Sequence, residues 1–183
     1  NIRNLCYNLT PPSITKDNLL SLVNVFAKKI FGDAFQFRLI VETGVDFSCL
    51  NGDGLLNVYR IVQEALQNIK NHAGANEVTV FFKRSAPAAG PAENAGQKAA
   101  LKKAFPARAM AAKNPQSHFK IIISDDGCGM DGELVKEINC AVFEKSKESH
   151  FGVRNICERA RLLNGKVTFS SAPDFGTQIT VEV

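Results

Sequence analysis

The amino-acid sequence predicts an α/β domain in which helices and strands follow one another and contribute to one core. An apolar stripe at helical spacing is formed by Val58, Ile61, Val62, Ala65, Leu66 and Ile69. Residues 119–125 form a short, apolar, β-rich run, which is typical of a central strand. Two further β-rich segments, 166–170 and 177–183, flank a turn-forming Ala-Pro-Asp-Phe-Gly sequence and predict a closing hairpin.

The other elements follow from periodicity and from the residues that interrupt it. Residues 17–31 have apolar positions at helical spacing, and residues 35–42 alternate as a strand does. Asn-Gly-Asp-Gly at 51–54 interrupts the chain before the helix that carries the apolar stripe. Another strand is predicted at 77–83, and a glycine-led helix at 149–165 ends in an Asn-Gly stop.

Residues 85–117 differ in composition from the rest of the chain. Twelve of them are Ala and four are Pro, so the segment lacks the large apolar side chains that bury a core. We therefore expect a loop or a partly disordered segment. It contains five basic residues and one acidic residue, whereas the remaining chain contains 17 of each and is neutral. The domain itself has no electrostatic reason to bind nucleic acid directly.

Cysteine usage and hydropathy limit the class of protein further. The five cysteines are scattered and include no Cys-x-x-Cys pair, which favours a reducing compartment over a zinc site or a disulfide scaffold. No apolar run approaches the length of a membrane span.

The polar edge of the stripe-bearing helix carries a candidate metal site. Glu64, Asn68 and Asn71 lie at i, i+4 and i+7, so their side chains line one edge of the helix. Carboxylate and amide oxygens are the ligands that Mg²⁺ prefers. By itself the pattern is more often that of a polar helix edge in solvent than that of a metal site.

Two later motifs point to a phosphate-containing ligand. Asp125-Asp-Gly-Cys-Gly-Met130 follows the central strand, and Gly127 and Gly129 allow a sharp turn and a close backbone approach. The helix led by Gly152 offers free N–H groups at its start, which is a natural phosphate site. Taken alone, the first motif is also compatible with a plain turn, and the second with an ordinary surface helix.

The order and spacing of these motifs resemble the ATP-binding domain shared by gyrase, the Hsp90 chaperones, sensor histidine kinases and MutL, the GHKL superfamily. Residues 64–73 resemble its N box, residues 125–129 its G1 box and residues 151–153 its G2 box. Residues 176–181 resemble the glycine-threonine strand that closes the site. The amino-acid sequence of residues 55–183 is similar to that of a subclass of bacterial sensor histidine kinases, those that pair with helix-turn-helix response regulators.

The resemblance implies a two-layer sandwich, with a mixed β-sheet covered on one face by three helices. Residues 13–183 would be the ATP-binding domain, and residues 85–117 an insertion at a hairpin tip. We interpret the insertion as a tolerated surface loop, with a docking element for an acidic partner as the alternative. Residues 1–12 would be the end of a dimerisation helix and a linker.

The resemblance also implies roles for individual residues. Asp125 would accept a hydrogen bond from the adenine amino group, and Asn68 would bind Mg²⁺ together with phosphate oxygens. Glu64, the expected catalytic residue, would orient or deprotonate a group near the γ-phosphate. The residues expected to contact ATP are Asn68, Asn71, His72, Asp125, Gly127, Gly129, Met130, His150, Phe151, Gly152, Val153 and Thr177.

Residues 131–151 would form the ATP lid, and Lys145, Lys147 or Arg154 could supply positive charge to the γ-phosphate. Asp174 replaces the glycine that is usual in the last hairpin turn, without an expected consequence for catalysis. Two further positions depart from the subclass. Asn71 stands where a phosphate-binding Lys is usual, and Ser149 stands where a lid glycine is common. Both departures could weaken ATP binding.

The expected function is therefore that of the catalytic ATP-binding domain of a cytoplasmic sensor histidine kinase. It would transfer the γ-phosphoryl of Mg-ATP to a His on a dimerisation domain outside this sequence, so the fragment alone is not expected to autophosphorylate. The implied partners are a second copy in a homodimer and a response regulator with a receiver domain, with membrane contact only through other segments. The alternative is a non-catalytic GHKL module that binds nucleotide or docks a partner.

Overall fold

A computed structural model of the chain describes residues 13–33, 35–84, 119–139 and 151–183. The predicted end of a dimerisation helix, the insertion at 85–117, the second half of the predicted lid and His150 lie outside the described residues.

Within the described residues, helices and strands occur largely where the sequence predicts them. The α-helices are α1 (Leu19–Phe31), α2 (Gly52–Asn68), α3 (Gly132–Asn139) and α4 (Phe151–Leu162). The strands are β1 (Gln36–Val41), β2 (Glu77–Arg84), β3 (Phe119–Asp125), β4 (Lys166–Ser171) and β5 (Thr177–Glu182). A π-helical turn, Ile69–Ala73, continues α2.

The strands form one mixed sheet in the order β1-β2-β3-β5-β4. β1 runs parallel to β2, and the other neighbouring pairs are antiparallel. Alternate strand residues such as Val80, Ile123 and Val181 are fully buried, and they join the helices in one hydrophobic core. The predicted α/β sandwich with a mixed sheet is confirmed.

The helix that carries the apolar stripe, α2, lies at the centre of this core. Asn51 caps its start by accepting a hydrogen bond from the Gly54 N–H at 2.8 Å. Every member of the predicted stripe is buried, from Val58 to Ile69. The helix packs against α1 and α4, so its C-terminal end is held firmly beside the ends of β3 and β5.

The resemblance implies three helices, and the described residues contain one more. This additional helix, α3, lies in the part of the predicted lid that the structure describes. Asp131 caps its start by accepting from the Glu133 N–H at 2.8 Å. At its other end, Asn139 donates to the Phe169 carbonyl at 2.7 Å and accepts from the Phe169 N–H at 2.8 Å. A helix of this length contains too few turns for its apolar periodicity to be distinguished from a loop sequence.

The base of the predicted insertion is closed by the sheet itself. Arg84 and Phe119 are the last paired residues of β2 and β3, on either side of residues 85–118. The Phe47 ring lies edge-on to Phe82 and Phe119, with centroid distances of 5.5 and 5.3 Å. Phe82 and Phe119 are almost fully buried by Phe47 and by the rest of the core. This aromatic packing stabilises the end of the β2–β3 pair without any contribution from the insertion.

Replacing residues 85–117 with Asn-Gly should leave the fold intact. The replacement keeps Asn-Gly-His118 between Arg84 and Phe119, which is a usual hairpin loop length. Shorter loops cost less closure entropy, so the free energy of unfolding should rise slightly, by about 1–2 kcal/mol. Urea unfolding of both proteins measures this difference. A folded state that is lost on replacement would show that the insertion packs on the domain.

Candidate functional site

A cavity of about 380 Å³ lies at the C-terminal end of α2, where the three sequence motifs meet. It is lined by Ala65, Asn68, Ile69, His72, Ala73, Asp125, Gly129, Met130, Leu134, Phe151, Gly152, Val153, Phe169, Thr177 and Ile179. The π turn, the loop after β3 and the start of α4 all contribute to the lining. The cavity is thus built by segments that are distant in the chain.

Most of the predicted ligand contacts line this cavity. They are Asn68, His72, Asp125, Gly129, Met130, Phe151, Gly152, Val153 and Thr177. Glu64, Asn71 and Gly127 are not among the lining residues, and His150 lies outside the described part of the chain.

Gly152 brings the start of α4 against the polar edge of α2. A Cβ atom added to Gly152 would lie 2.7 Å from the Asn68 Oδ1 atom and 2.8 Å from the Glu64 Oε1 atom. A side chain here would therefore displace both polar groups. Glu64 lies at the rim of the cavity beside Asn68, although it does not line the cavity itself.

Asn71 does not join Glu64 and Asn68. It is exposed, and its Oδ1 atom accepts a hydrogen bond from Gln67 Nε2 at 3.1 Å. The expected i, i+4, i+7 edge assumes a regular α-helix, but the wider π turn begins at Ile69 and rotates Asn71 away. His72 lines the cavity instead.

Asp125, the last residue of β3, also lines the cavity. Its Oδ1 atom accepts a hydrogen bond from the Gly127 N–H at 2.9 Å. Burial raises the pKa of Asp125 above its ordinary value, and hydrogen bonds from the N–H groups of Gly127 and Thr177 oppose this increase only in part. The site thus holds a half-buried carboxyl group that faces the cavity.

The loop after Asp125 is packed between the π turn and the β4–β5 hairpin. A Cβ atom on Gly127 would lie 2.4 Å from the Ala73 carbonyl oxygen, and one on Gly129 would lie 2.0 Å from the Ala172 carbonyl oxygen. Gly129 also has a φ of +68°, a conformation that favours glycine. Both glycines are therefore required by close contact with the protein's own backbone, whereas the predicted close approach was to a ligand.

Ser171 supports this loop and was not predicted. Its Oγ atom accepts from the Met130 N–H at 2.8 Å, donates to the Gly176 carbonyl at 2.7 Å and lies 3.0 Å from the Thr177 Oγ1 atom. A serine opposite Thr177 in the predicted hairpin was the available signal. The apolar lining was missed as well, because Ile69, Phe169 and Ile179 read only as core positions.

The arrangement can hold a flat apolar group and a polar tail. Met130, Phe169 and Ile179 offer apolar contact near Asp125, whose carboxyl can accept a hydrogen bond. The oxygens of Asn68 and Glu64 lie beside the start of α4. Among the described lining residues, His72 carries the only basic side chain. Arg154 on α4 is paired with Glu158.

The described residues contain neither a cluster of candidate metal ligands nor a helix that could span a membrane. No group of three or more His, Cys, Asp or Glu side chains converges within residues 13–33, 35–84, 119–139 and 151–183 as a metal cluster would. In the same part of the chain, no helix has the length and apolar character needed to cross a membrane.

A protein-family model described as histidine kinase-, DNA gyrase B- and HSP90-like ATPase matches residues 55–183. A sensor-like histidine kinase of Chloroflexus aurantiacus, itself uncharacterized, is 25% identical over 183 residues, which are 100% of this chain and 25% of that protein. The sensor histidine kinase ComP of Bacillus subtilis is 23% identical over 99% of this chain and 18% of its own length. The chain thus spans about a quarter or less of these relatives.

Solved structures share the fold. The histidine kinase domain of the Erythrobacter litoralis EL346 blue-light activated histidine kinase has a TM-score of 0.55 and 14% identity, covering 95% of this chain and 64% of that chain. The mycobacterial sensor histidine kinase MprB has a TM-score of 0.53 and 14% identity, covering 89% of this chain and 91% of that chain.

Proposed function

Because the chain belongs to the family of histidine kinase-, DNA gyrase B- and HSP90-like ATPases, we propose that it is the catalytic ATP-binding domain of a sensor histidine kinase. A domain of this family binds ATP. The observation that carries the proposal is one cavity lined by both Asp125 and Asn68, where the oxygens of Asn68 and Glu64 lie against Gly152 at the start of α4.

The adenine base would occupy the Asp125 end of the cavity. Its amino group would donate a hydrogen bond to the Asp125 carboxylate, and its ring would lie against Met130, Phe169 and Ile179. Gly129 lets the loop beside the base pack against the Ala172 carbonyl, which a side chain would displace. Guanine has an oxygen in place of that amino group, so we expect ATP to bind more tightly than GTP.

The phosphates would extend towards α2 and α4. Asn68 Oδ1 is suited to a Mg²⁺ ion, because amide and phosphate oxygens are hard ligands and Mg²⁺ needs few ligands from the protein. When bound, the ion would neutralise charge on the phosphates. The N–H groups at the start of α4, led by Gly152, would bind phosphate oxygens, and His72 could add positive charge.

Phosphoryl transfer needs positioning more than covalent chemistry from this domain. The phosphoacceptor, an imidazole nitrogen of a His on a dimerisation domain, would form a bond to the γ-phosphorus while the bond to the β–γ bridging oxygen breaks and ADP leaves. Glu64, at the rim beside Asn68, would orient the imidazole and take up its ring proton. The whole protein would then be a cytoplasmic-facing homodimer that passes the phosphoryl group to an Asp of a response regulator.

Calorimetric titration with a non-hydrolysable ATP analogue tests the binding step, with and without Mg²⁺. We expect Mg²⁺-dependent binding, and a preference for the adenine over the guanine analogue. Mixing the chain with a separate dimerisation domain and labelled ATP tests the transfer step, with labelled His as the expected product. Absence of both heat and thermal stabilisation at millimolar nucleotide would contradict the proposal.

A non-catalytic nucleotide-binding or docking module is the second candidate. The observation that favours it is Asn71, which is hydrogen-bonded to Gln67 on the exposed side of the π turn and supplies no charge to the cavity. Nucleotide binding without transfer to the added dimerisation domain would support this candidate over the first.

Changing Asp125 to Asn should reduce ATP affinity and the preference over GTP. The Asn side chain keeps an oxygen for the Gly127 N–H but loses the charged acceptor for the amino group. The expected cost is roughly 1–3 kcal/mol in the free energy of ATP binding, with little change for GTP. Calorimetry with both nucleotides measures this difference. An unchanged ratio of the two dissociation constants would contradict the role of Asp125.

The raised pKa of Asp125 predicts two pH effects. ATP binding to the wild type should weaken on acidification at a higher pH than an ordinary Asp would cause, whereas the Asp125→Asn variant should not respond there. The folded state favours the neutral form of the Asp125 carboxyl. The stability that this preference contributes is therefore fully present below the pKa that Asp125 has in the unfolded chain, and it is lost as the pH rises through the higher pKa of the folded chain. At pH 7 the nucleotide-free variant should therefore unfold at or above the wild-type temperature, and a lower temperature would contradict this assignment.

A further inference from the structure

Two neighbouring carboxylates at the end of β3 have different surroundings. Asp125 lines the cavity, whereas Asp126 is exposed and does not line it. The Oδ1 atom of Asp126 accepts hydrogen bonds from the backbone N–H groups of Asn76 and Glu77, each at 2.8 Å. The bond from Glu77 is the main cause that holds the pKa of Asp126 below its ordinary value. Asp126 is therefore charged when it makes these bonds.

The segment that Asp126 holds is the continuation of the π turn. Ala73, the last residue of that turn, lines the cavity, and its carbonyl accepts from the Cys128 N–H at 2.8 Å. The loop that begins at Asp125 is thus joined to residues 73–77 both by Asp126 and by Cys128. Gly127, between them, is in close contact with Ala73.

Strand pairing ends at the start of this loop. Asp125 is the last residue of β3 to pair with either neighbouring strand, with Val78 on one side and Thr177 on the other. The next residue, Asp126, still donates its own N–H to the Glu77 carbonyl, at the longer distance of 3.4 Å. Its two side-chain hydrogen bonds add to this contact where the chain leaves the sheet and turns towards the cavity.

We propose that Asp126 is a positioning residue that sets the preference of this site for ATP over GTP, because it fixes the loop that carries Asp125 to the end of the π turn. The inference rests on the proposed nucleotide-binding function. Recognition of the base needs the Asp125 carboxylate at hydrogen-bond distance from one amino group, and a displacement of about 1 Å is enough to lose much of that contact. Asp126 acts through Asp125 and touches no nucleotide itself.

The test compares three variants with the wild type by calorimetry with ATP and GTP. Asp126→Ala removes the acceptor, and the ATP dissociation constant should rise about tenfold or more while that for GTP changes little. Asp126→Asn keeps an oxygen that can accept from Asn76 and Glu77, so it should retain most of the preference. Glu77→Ala is the matched control, since it removes the half-buried carboxylate that pairs with Arg38 at the first residue of β2 but leaves the Glu77 N–H in place.

The ratio of the two dissociation constants separates positioning from general stability. If Asp126 were only structural, its substitution would lower the unfolding temperature and weaken the binding of both nucleotides to the same extent. An unchanged ratio in Asp126→Ala, or an equal loss of preference in Asp126→Asn or Glu77→Ala, would overturn the inference. If the wild type binds neither nucleotide, the proposed function is wrong and the inference falls with it.

Hydrogen exchange of the backbone amides tests the inference on the wild-type protein alone, so the result does not depend on whether a variant folds. If Asp126 joins the two segments, saturating ATP should slow exchange of the Asn76 and Glu77 amides several-fold, because a nucleotide that holds Asp125 also holds its neighbour. Unchanged exchange of these amides, with clear protection elsewhere around the cavity, would overturn the inference.

Discussion

The Asn68→Ala variant should lose Mg²⁺-dependent turnover of ATP while remaining folded. Asn68 lines the cavity beside Gly152, and it is the residue proposed to bind the metal. Metal stabilisation of the transferring phosphoryl group is worth several kcal/mol, so kcat/KM should fall about 100-fold or more. Ala has a higher helix propensity than Asn, so the unfolding temperature should not fall appreciably.

Gln63→Ala is a suitable control for this loss. Gln63 is an amide on the same helix, does not line the cavity and accepts a hydrogen bond from Arg60. Its removal should leave Mg²⁺-dependent turnover near the wild-type value. Turnover measured with the complete kinase over a range of Mg²⁺ concentrations distinguishes the two variants. Full Mg²⁺-dependent activity in Asn68→Ala would mean that the metal binds elsewhere.

The Gly129→Ala variant should be strongly destabilised and should lose nucleotide binding. The new methyl group would lie 2.0 Å from the Ala172 carbonyl oxygen, and the residue has a φ of +68°. Backbone atoms cannot move aside as a flexible side chain can, so strain and overpacking together should cost about 2–5 kcal/mol. If the domain folds, the loop after Asp125 must shift away from the hairpin and deform the cavity.

Gly132→Ala provides the matched comparison. A Cβ atom at Gly132 has no neighbour within 4 Å, and this glycine begins α3, where Ala is the better helix former. Urea unfolding should therefore find it as stable as the wild type or slightly more so. Equal stability of Gly129→Ala and the wild type would show that the loop tolerates a different path.

Much of the architecture could be predicted because the relevant residues follow simple periods. The stripe from Val58 to Ile69 repeats at helical spacing, and all of its members are buried. β3 has the alternation of buried and half-buried residues that a strand requires. Such patterns reflect burial, which is the main constraint on which residues can occupy a core.

The geometry of the site depends on features without such a period. The π turn at Ile69–Ala73 changes which side chains face the cavity, so that His72 lines it and Asn71 does not. A π turn differs from an α-helix by one residue in its hydrogen-bonding step, and local composition does not mark that change. Ser171 was missed for a related reason, since its bond to the Met130 N–H joins segments that are far apart in the chain.

The double hydrogen bond of Asn139 has a consequence for self-association. β4 lies at one edge of the sheet, and an edge strand offers free backbone groups that can recruit a strand from another molecule. The Asn139 amide occupies both the N–H and the carbonyl of Phe169, in the middle of β4, as a neighbouring strand would. A side chain thereby ends the sheet at this edge, and the chain is protected there against strand-to-strand aggregation.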